Sequence, residues 1–391
     1  MADEQSRTQA NACAHCDGPA TKRCSGCSEG ATFVEDAKPT WYCSTECQTE
    51  DWESHKPACE RLKRTKSLYQ AGDILNTLWP LLRSQTKQST VDRVHVRVEN
   101  TIDFFETLET TACFELNPLG GFPGDKRVTR AVLDVFPVTD RDVICSLGVV
   151  LRKLLAGVCS HIQTLEVKIK DPKLMVHCHQ REDPEGAYYD FAVVNGLILI
   201  NLRSRAFRLE DHEVPTHYIF RVRLKDSGED FDIDIANAKY GHFDTVVPWD
   251  NYLSQRVGRV IRGNIATSYS ATSMPRLAHL RRLIALSEFN TFRMKHLVEA
   301  WLETKGLGYA TLVSLSKPRF EAELADLEAF ATTGLLESYK AAVTCANLAA
   351  DDHLIFERDQ GELQRERREL MIENGVLQAA EDTPEAFLFT V

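Results

Sequence analysis

Seven of the twelve cysteines fall between positions 13 and 59, and with one histidine they make four pairs: Cys13-x2-Cys16, Cys24-x2-Cys27, Cys43-x3-Cys47 and His55-x3-Cys59. Two cysteines separated by two residues bend their thiolates toward one Zn²⁺ at about 2.3 Å, and an x3 pair reaches the same geometry from one helical turn. Each pair is half of a tetrahedral site, so four pairs predict two zinc ions per chain. In a reducing compartment such a cluster reads as metal ligands before disulfides. Four protein ligands leave no open coordination position, so these metals hold a fold and do no catalysis. Their binding free energy, about 10–16 kcal/mol per structural zinc, is folding energy for a module too small to bury much apolar surface. Spacing alone leaves the pairing open, because sequential and interleaved combinations both close plausible loops. His15 sits inside the first pair, where a third ligand from the same knuckle would strain the site, and reads as a surface residue.

The segments Cys24-Ser25-Gly26-Cys27, Tyr42-Cys43-Ser44-Thr45-Glu46-Cys47-Gln48, Asp51-Trp52-Glu53-Ser54-His55 and Cys59 resemble a MYND finger over its full length. That family interleaves its pairs. The resemblance implies one zinc on Cys13, Cys16, Cys43 and Cys47, and another on Cys24, Cys27, His55 and Cys59. Fifteen residues separate Cys27 from Cys43, more than in many members, and Gly30, Asp36 and Pro39 predict an exposed loop there. RING modules share interleaved sites but place histidine mid-series, whereas His55 is seventh of eight. The resemblance also implies docking of short proline-rich segments of partner proteins, with Ser25, Gln48 and Trp52 at the positions that contact the peptide. A proline-rich segment is already ordered as a polyproline II helix and loses little entropy on docking against an aromatic face. Trp52 is expected on the short helix begun by Ser44, whose hydroxyl can cap free amides of its first turn. The competing reading of Trp52 is packing alone.

These ligands need a frame, and 391 residues supply more than a finger. The expected organisation is a disordered N-terminus (1–12), the finger (13–59), a connecting helix (60–88), an α+β domain (89–272) and a helical C-terminal region (273–391). Leu62, Leu68, Leu75, Leu78 and Leu81 recur at spacings of three to seven, which suits an amphipathic helix from Pro57 to about Gln88. Val91 to Val98 favours a strand, and 118–124 (Pro118 to Gly124) is a loop. A helix is expected from Asp140 to Leu155, then strands at Ile162–Ile169, Leu197–Leu202, Tyr218–Leu224 and Phe231–Ile235, with Lys225-Asp226-Ser227-Gly228 as a hairpin turn. Helices are expected over Leu277–Thr304, Pro318 to about Ala350, and Asp351–Asn374; within the last, the charge-laced run Glu362–Leu370 reads as a solvated face. The fold class is thus a small zinc-stabilised finger, an α+β domain and a mainly α-helical C-terminal region.

The body offers one catalytic candidate, the hairpin carrying His217 and then Asp232 and Asp234. Papain-like and transglutaminase-like enzymes place a base histidine and its orienting acid on neighbouring strands, with a cysteine thiolate on an upstream helix. Cys145, Cys159 and Cys178 are upstream, but none opens a Gly-rich helix start that would lower its pKa. Without catalysis, His217 and Asp234 read as part of a partly exposed hairpin. A SET-type lysine methyltransferase lacks its Asn-His-Ser cofactor segment, its tyrosine motif and a third zinc cluster here. In His177-Cys178-His179 only the two histidines share a strand face, too few for a metal. Cys113 and Cys345 read as buried thiols. The stretch Asp232 to Tyr252 resembles one that follows MYND fingers in uncharacterised fungal proteins, which assigns no activity.

The formal net charge is −11, and from Met1 to Lys66 nine basic residues stand against eleven acidic, a net −2 before any thiolate is counted. Nucleic acid and anionic membranes are therefore not the expected partners. The polar start and the lack of any ~20-residue apolar run predict an intracellular protein of the nucleus or cytoplasm. The reading is a zinc-binding protein-interaction adaptor, with a body enzyme targeted by the finger as the alternative.

Overall fold

The computed structural model describes residues 11–34, 37–86, 89–97, 101–108, 126–135, 141–181, 191–194, 197–200, 216–264 and 278–337. The loop 118–124, Cys113, Cys345, Asp351–Asn374 and Glu362–Leu370 lie outside them, as do the end of the stretch expected to reach Ala350 and residues 201–202. Asn11 and Ala12, set with the disordered N-terminus in the sequence reading, form β1 (Asn11–Ala12), antiparallel to β2 (Pro19–Ala20). Next, β3 (Lys22–Arg23) pairs with β4 (Trp41–Tyr42), and a 3-10 turn at Gly30–Phe33 lies between them.

Ser44 caps α1 (Thr45–Glu50) as expected, its hydroxyl accepting from the Cys47 amide at 3.2 Å. Trp52 is not on this helix. The Tyr42 hydroxyl donates to Asp51 Oδ2 at 2.7 Å, and the Ser54 hydroxyl also donates to the Asp51 carboxylate. Asp51 is thereby held at a corner where α1 stops and α2 (Trp52–Thr86) starts.

The helix expected to begin near Pro57 thus begins inside the finger and passes both Pro57 and Pro80. A proline removes the bond to the carbonyl four residues earlier. For Pro80 that carbonyl belongs to Asn76, and it accepts from Arg130 at 2.8 Å instead.

In the body, β5 (Ser89–Arg97) and β6 (Thr101–Leu108) are antiparallel, followed by α3 (Lys126–Val135) and α4 (Arg141–Leu154). Then come β7 (Cys159–Ile169), β8 (Met175–Arg181), which runs parallel to β6, and the pair β9 (Phe191–Val194) and β10 (Leu197–Ile200). After β11 (Thr216–Leu224), β12 (Asp230–Ile233) and β13 (Val246–Pro248) come α5 (Trp249–Arg256) and β14 (Val257–Gly263). Three helices close the described chain: α6 (Ala278–Lys305), α7 (Tyr309–Leu312) and α8 (Lys317–Glu337).

The main sheet is antiparallel, in the order β13-β12-β11-β7-β14. Its hairpin turn uses left-handed backbone at Asp226 (φ 68°) and Gly228 (φ 70°), as the Lys-Asp-Ser-Gly motif predicts.

Alternation along the strands divides the sheet into two chemistries. On one face Phe220, Val222, Leu224, Phe231 and Ile233 join Leu68, Leu75 and Leu78 of α2, Leu147 and Leu151 of α4, and Val298, Trp301, Leu327 and Leu335 of the last helices in one apolar core. The helix read as a connector and the described helices of the C-terminal region, α6 to α8, therefore share a core with the sheet, because their apolar stripes cover the same face. On the other face Leu165, Val167, Ile169 and Ile219 meet Tyr240, Trp249, Tyr252 and Val257. Among the described residues no helix is long and apolar enough to cross a membrane.

Candidate metal centre

Three strand ends (β1, β3 and β4) and the helices α1 and α2 bring the eight ligands together as two sets. Cys13, Cys16, Cys43 and Cys47 form one, and Cys24, Cys27, His55 and Cys59 the other, with the ligand atoms of each set within 4.8 Å of one another. The interleaved pairing follows from topology. The β3–β4 pair carries Cys43 back beside the first knuckle, while α2 swings His55 and Cys59, one turn apart on one helix face, under the second.

Bond lengths of about 2.3 Å to sulfur and 2.1 Å to nitrogen put tetrahedral edges near ~3.8 Å for S···S and ~3.6 Å for S···N. In the first set the sulfurs of Cys16 and Cys43 are 3.6 Å apart and those of Cys43 and Cys47 3.3 Å. In the second, Cys24 and Cys59 sulfurs are 3.9 Å apart, and Cys27 Sγ lies 3.6 Å from His55 Nε2. Donor chemistry and spacing both fit Zn²⁺. Burial and the neighbouring Cys24 and Cys27 thiolates push the Cys59 thiol up to about 12, so a bound dication is what would let these sulfurs shed their protons together.

The two sites differ in exposure. All four ligands of the Cys24 set are buried, whereas Cys16 is exposed and Cys43 and Cys47 are half-buried; the sets are called inner and outer below. His55 Nδ1 lies 3.3 Å from the Thr40 hydroxyl. With Nδ1 carrying the proton toward Thr40, Nε2 presents its lone pair to the metal. Thr40 has no spacing signal in the sequence and was not anticipated. Thr40→Val is expected to weaken the inner site about tenfold in a competitive chelator titration while the outer site is unchanged.

Of the residues that the resemblance marks for peptide contact, Ser25 is exposed on the second knuckle, Gln48 half-buried on α1, and Trp52 half-buried at the start of α2. The Trp52 ring meets the His55 ring edge-on at 6.3 Å and packs against the finger's small core. His15 is exposed and pairs with Glu50 at 3.0 Å, a surface contact as expected.

The body's catalytic candidate assembles in part. His217 Nε2 and Asp234 Oδ1 are 2.7 Å apart, and the Tyr252 hydroxyl donates to Asp234 Oδ2 at 2.8 Å. The hairpin is not partly exposed at this point: His217, Asp232, Asp234 and Tyr252 are all at or below 1% exposure, because α5 lays Trp249 and Tyr252 over that face.

No described cysteine completes a thiolate-imidazole pair. Cys145 packs in the core on the opposite face of the sheet. Cys159 pairs with Leu224 while His217 pairs with Val167, eight residues and about 26 Å along the strand. Burial also pushes the Cys159 thiol up to about 12. The side chains of His177, Cys178 and His179 on β8 lie outside the described residues.

The family model of the MYND finger matches residues 13–59, from the first zinc ligand to the last. No curated protein and no solved structure matches the chain. Two interleaved four-ligand sites on that span make residues 13–59 a MYND finger, a zinc-binding protein-interaction module.

Proposed function

We propose that the finger docks a proline-containing segment of a partner protein, and that the chain works as an intracellular adaptor, in the nucleus or cytoplasm, whose body offers a second surface. One observation carries this reading. Gln48 on α1 and Trp52 at the start of α2 flank the corner between the two helices, and both they and Ser25 on the second knuckle are left at least partly open. A partly open indole in a module that also exposes an amide and a hydroxyl suits a polyproline II segment, which offers ring faces and free carbonyls. The acidic balance of the finger gives no electrostatic reason for nucleic acid to compete.

The test is direct titration of the full chain with a proline-rich peptide. Trp52→Ala is expected to weaken binding about 30-fold, roughly 2 kcal/mol, as loss of an aromatic anchor does. Zinc content should stay at two per chain, since Trp52 is not a ligand. Unchanged affinity in this variant would remove the proposed docking face.

A further inference from the structure

The inner and outer sites stand in different relations to the body. His55 and Cys59 ride on the first turns of α2, and the same helix carries Leu68, Leu75, Leu78 and Leu82 into the main core. The first part of the lengthened segment after Cys27, expected to be an exposed loop, instead packs on α2 through Gly30–Phe33. A Cβ on Gly30 would fall 2.1 Å from the Leu62 carbonyl oxygen, so only glycine lets this turn lie so close.

Phe33 stacks on Tyr69 at 4.7 Å, and Tyr69 meets Phe231 of the main sheet edge-on at 6.5 Å. Glu29, two residues past Cys27, accepts from Lys66 Nζ at 3.1 Å and from the Lys317 amide at 3.2 Å. Lys66 also donates to the carbonyls of Ser314 and Leu315, each at 3.0 Å. One short turn beside the inner site thus reaches α2, the sheet and the start of α8.

The outer site has no such links. Among the described residues, hydrogen bonds and ion pairs from its segments end within the finger: Ala14 to Trp41, Lys22 to Thr45, His15 to Glu50 and Tyr42 to Asp51.

We infer that the inner metal is a joint between finger and body, and that the outer metal holds only the finger's distal half. When the inner divalent cation is lost, Gly30–Phe33 and Glu29 are no longer fixed by Cys27 and Cys24, and Glu29 lets go of Lys66 and of the Lys317 amide, loosening the segment that these two hold. When only the outer cation is lost, Glu29, Phe33 and α2 keep their places. The body therefore responds to occupancy of one of its two zinc sites, whichever partner the finger engages.

Hydrogen exchange on the full chain tests this, read at residues 60–70 and 309–317 against the α4 core as reference. Cys16→Ser should hold one zinc and exchange like the wild type in both windows. Stripping that remaining zinc with a chelator should then speed exchange there at least tenfold. Cys59→Ser should show the fast exchange from the outset, and if it does not fold, the stripped Cys16→Ser chain still decides. Fast exchange already in zinc-loaded Cys16→Ser, or exchange unchanged after chelation, would overturn the assignment.

Discussion

Removing both zinc ions with a strong chelator is expected to unfold residues 13–59. Apart from its cysteines, the buried apolar side chains of this segment's core are Ala20, Ala31 and Tyr42, with Leu62 added from the following turns of α2. So few side chains cannot offset the conformational entropy of ordering the segment. Each metal contributes on the order of 10–16 kcal/mol, which makes this the largest single effect on the module. Amide resonances from Cys13 to Cys59 should collapse to random-coil positions, and elemental analysis of the untreated chain should return two zinc ions. One zinc, or none, would mean that the interleaved pair of sites does not form.

The ligands could be read from the sequence because coordination demands particular residue types at particular spacings. Their pairing could not, since either combination closes; the resemblance to MYND fingers supplied it, and the two ligand clusters agree. What spacing does not encode is the tertiary contact. Ser44 announced its helix, but the corner at Asp51 depends on the hydroxyl of Tyr42, nine residues earlier.

Gly30, Asp36 and Pro39 carry the composition of a solvent loop, yet Phe33 finds Tyr69 across space and pulls the first part of the segment onto α2. Pro80 argues locally against a continuous helix, and the Arg130 guanidinium, 54 residues beyond Asn76, removes the objection by taking the Asn76 carbonyl. The His217 and Asp234 pairing follows from neighbouring strands. Its burial does not, because it depends on α5, a helix of only eight residues with Asp250, Asn251 and Ser254 on it, too short and polar to show a clear apolar stripe.

That sealed pair yields the second large effect. Burial pushes the Asp234 carboxyl up, but attraction and a hydrogen bond from His217, with a further bond from the Tyr252 hydroxyl, hold it below the usual carboxylate range. Removing one partner of a buried pair strands the other without compensation, so Asp234→Ala is expected to cost about 3–5 kcal/mol in urea unfolding at pH 7. A loss under ~1 kcal/mol would show the pair to be dispensable.

Asp232, two residues earlier on the same face, behaves oppositely. Burial and then the Asp234 charge, opposed by Arg256, push it well above the ordinary value, and among the described residues neither of its oxygens has a hydrogen-bond partner. The two carboxyls thus sign opposite pH dependences. Asp234, depressed, contributes stability that is present above the unfolded carboxylate pKa near ~3.9 and lost as pH falls through its lower native value. Asp232, raised, keeps its proton in the native state after the unfolded chain has lost it. Its contribution therefore falls as pH rises from ~3.9 to its native pKa, by about 1.4 kcal/mol per pH unit. Asp232→Asn removes the ionisable group and should flatten that decline in unfolding free energies measured between pH 5 and 8. If the decline persists in the variant, the proton resides elsewhere in the cluster that Asp234, Tyr252, His242 and Arg256 form around it.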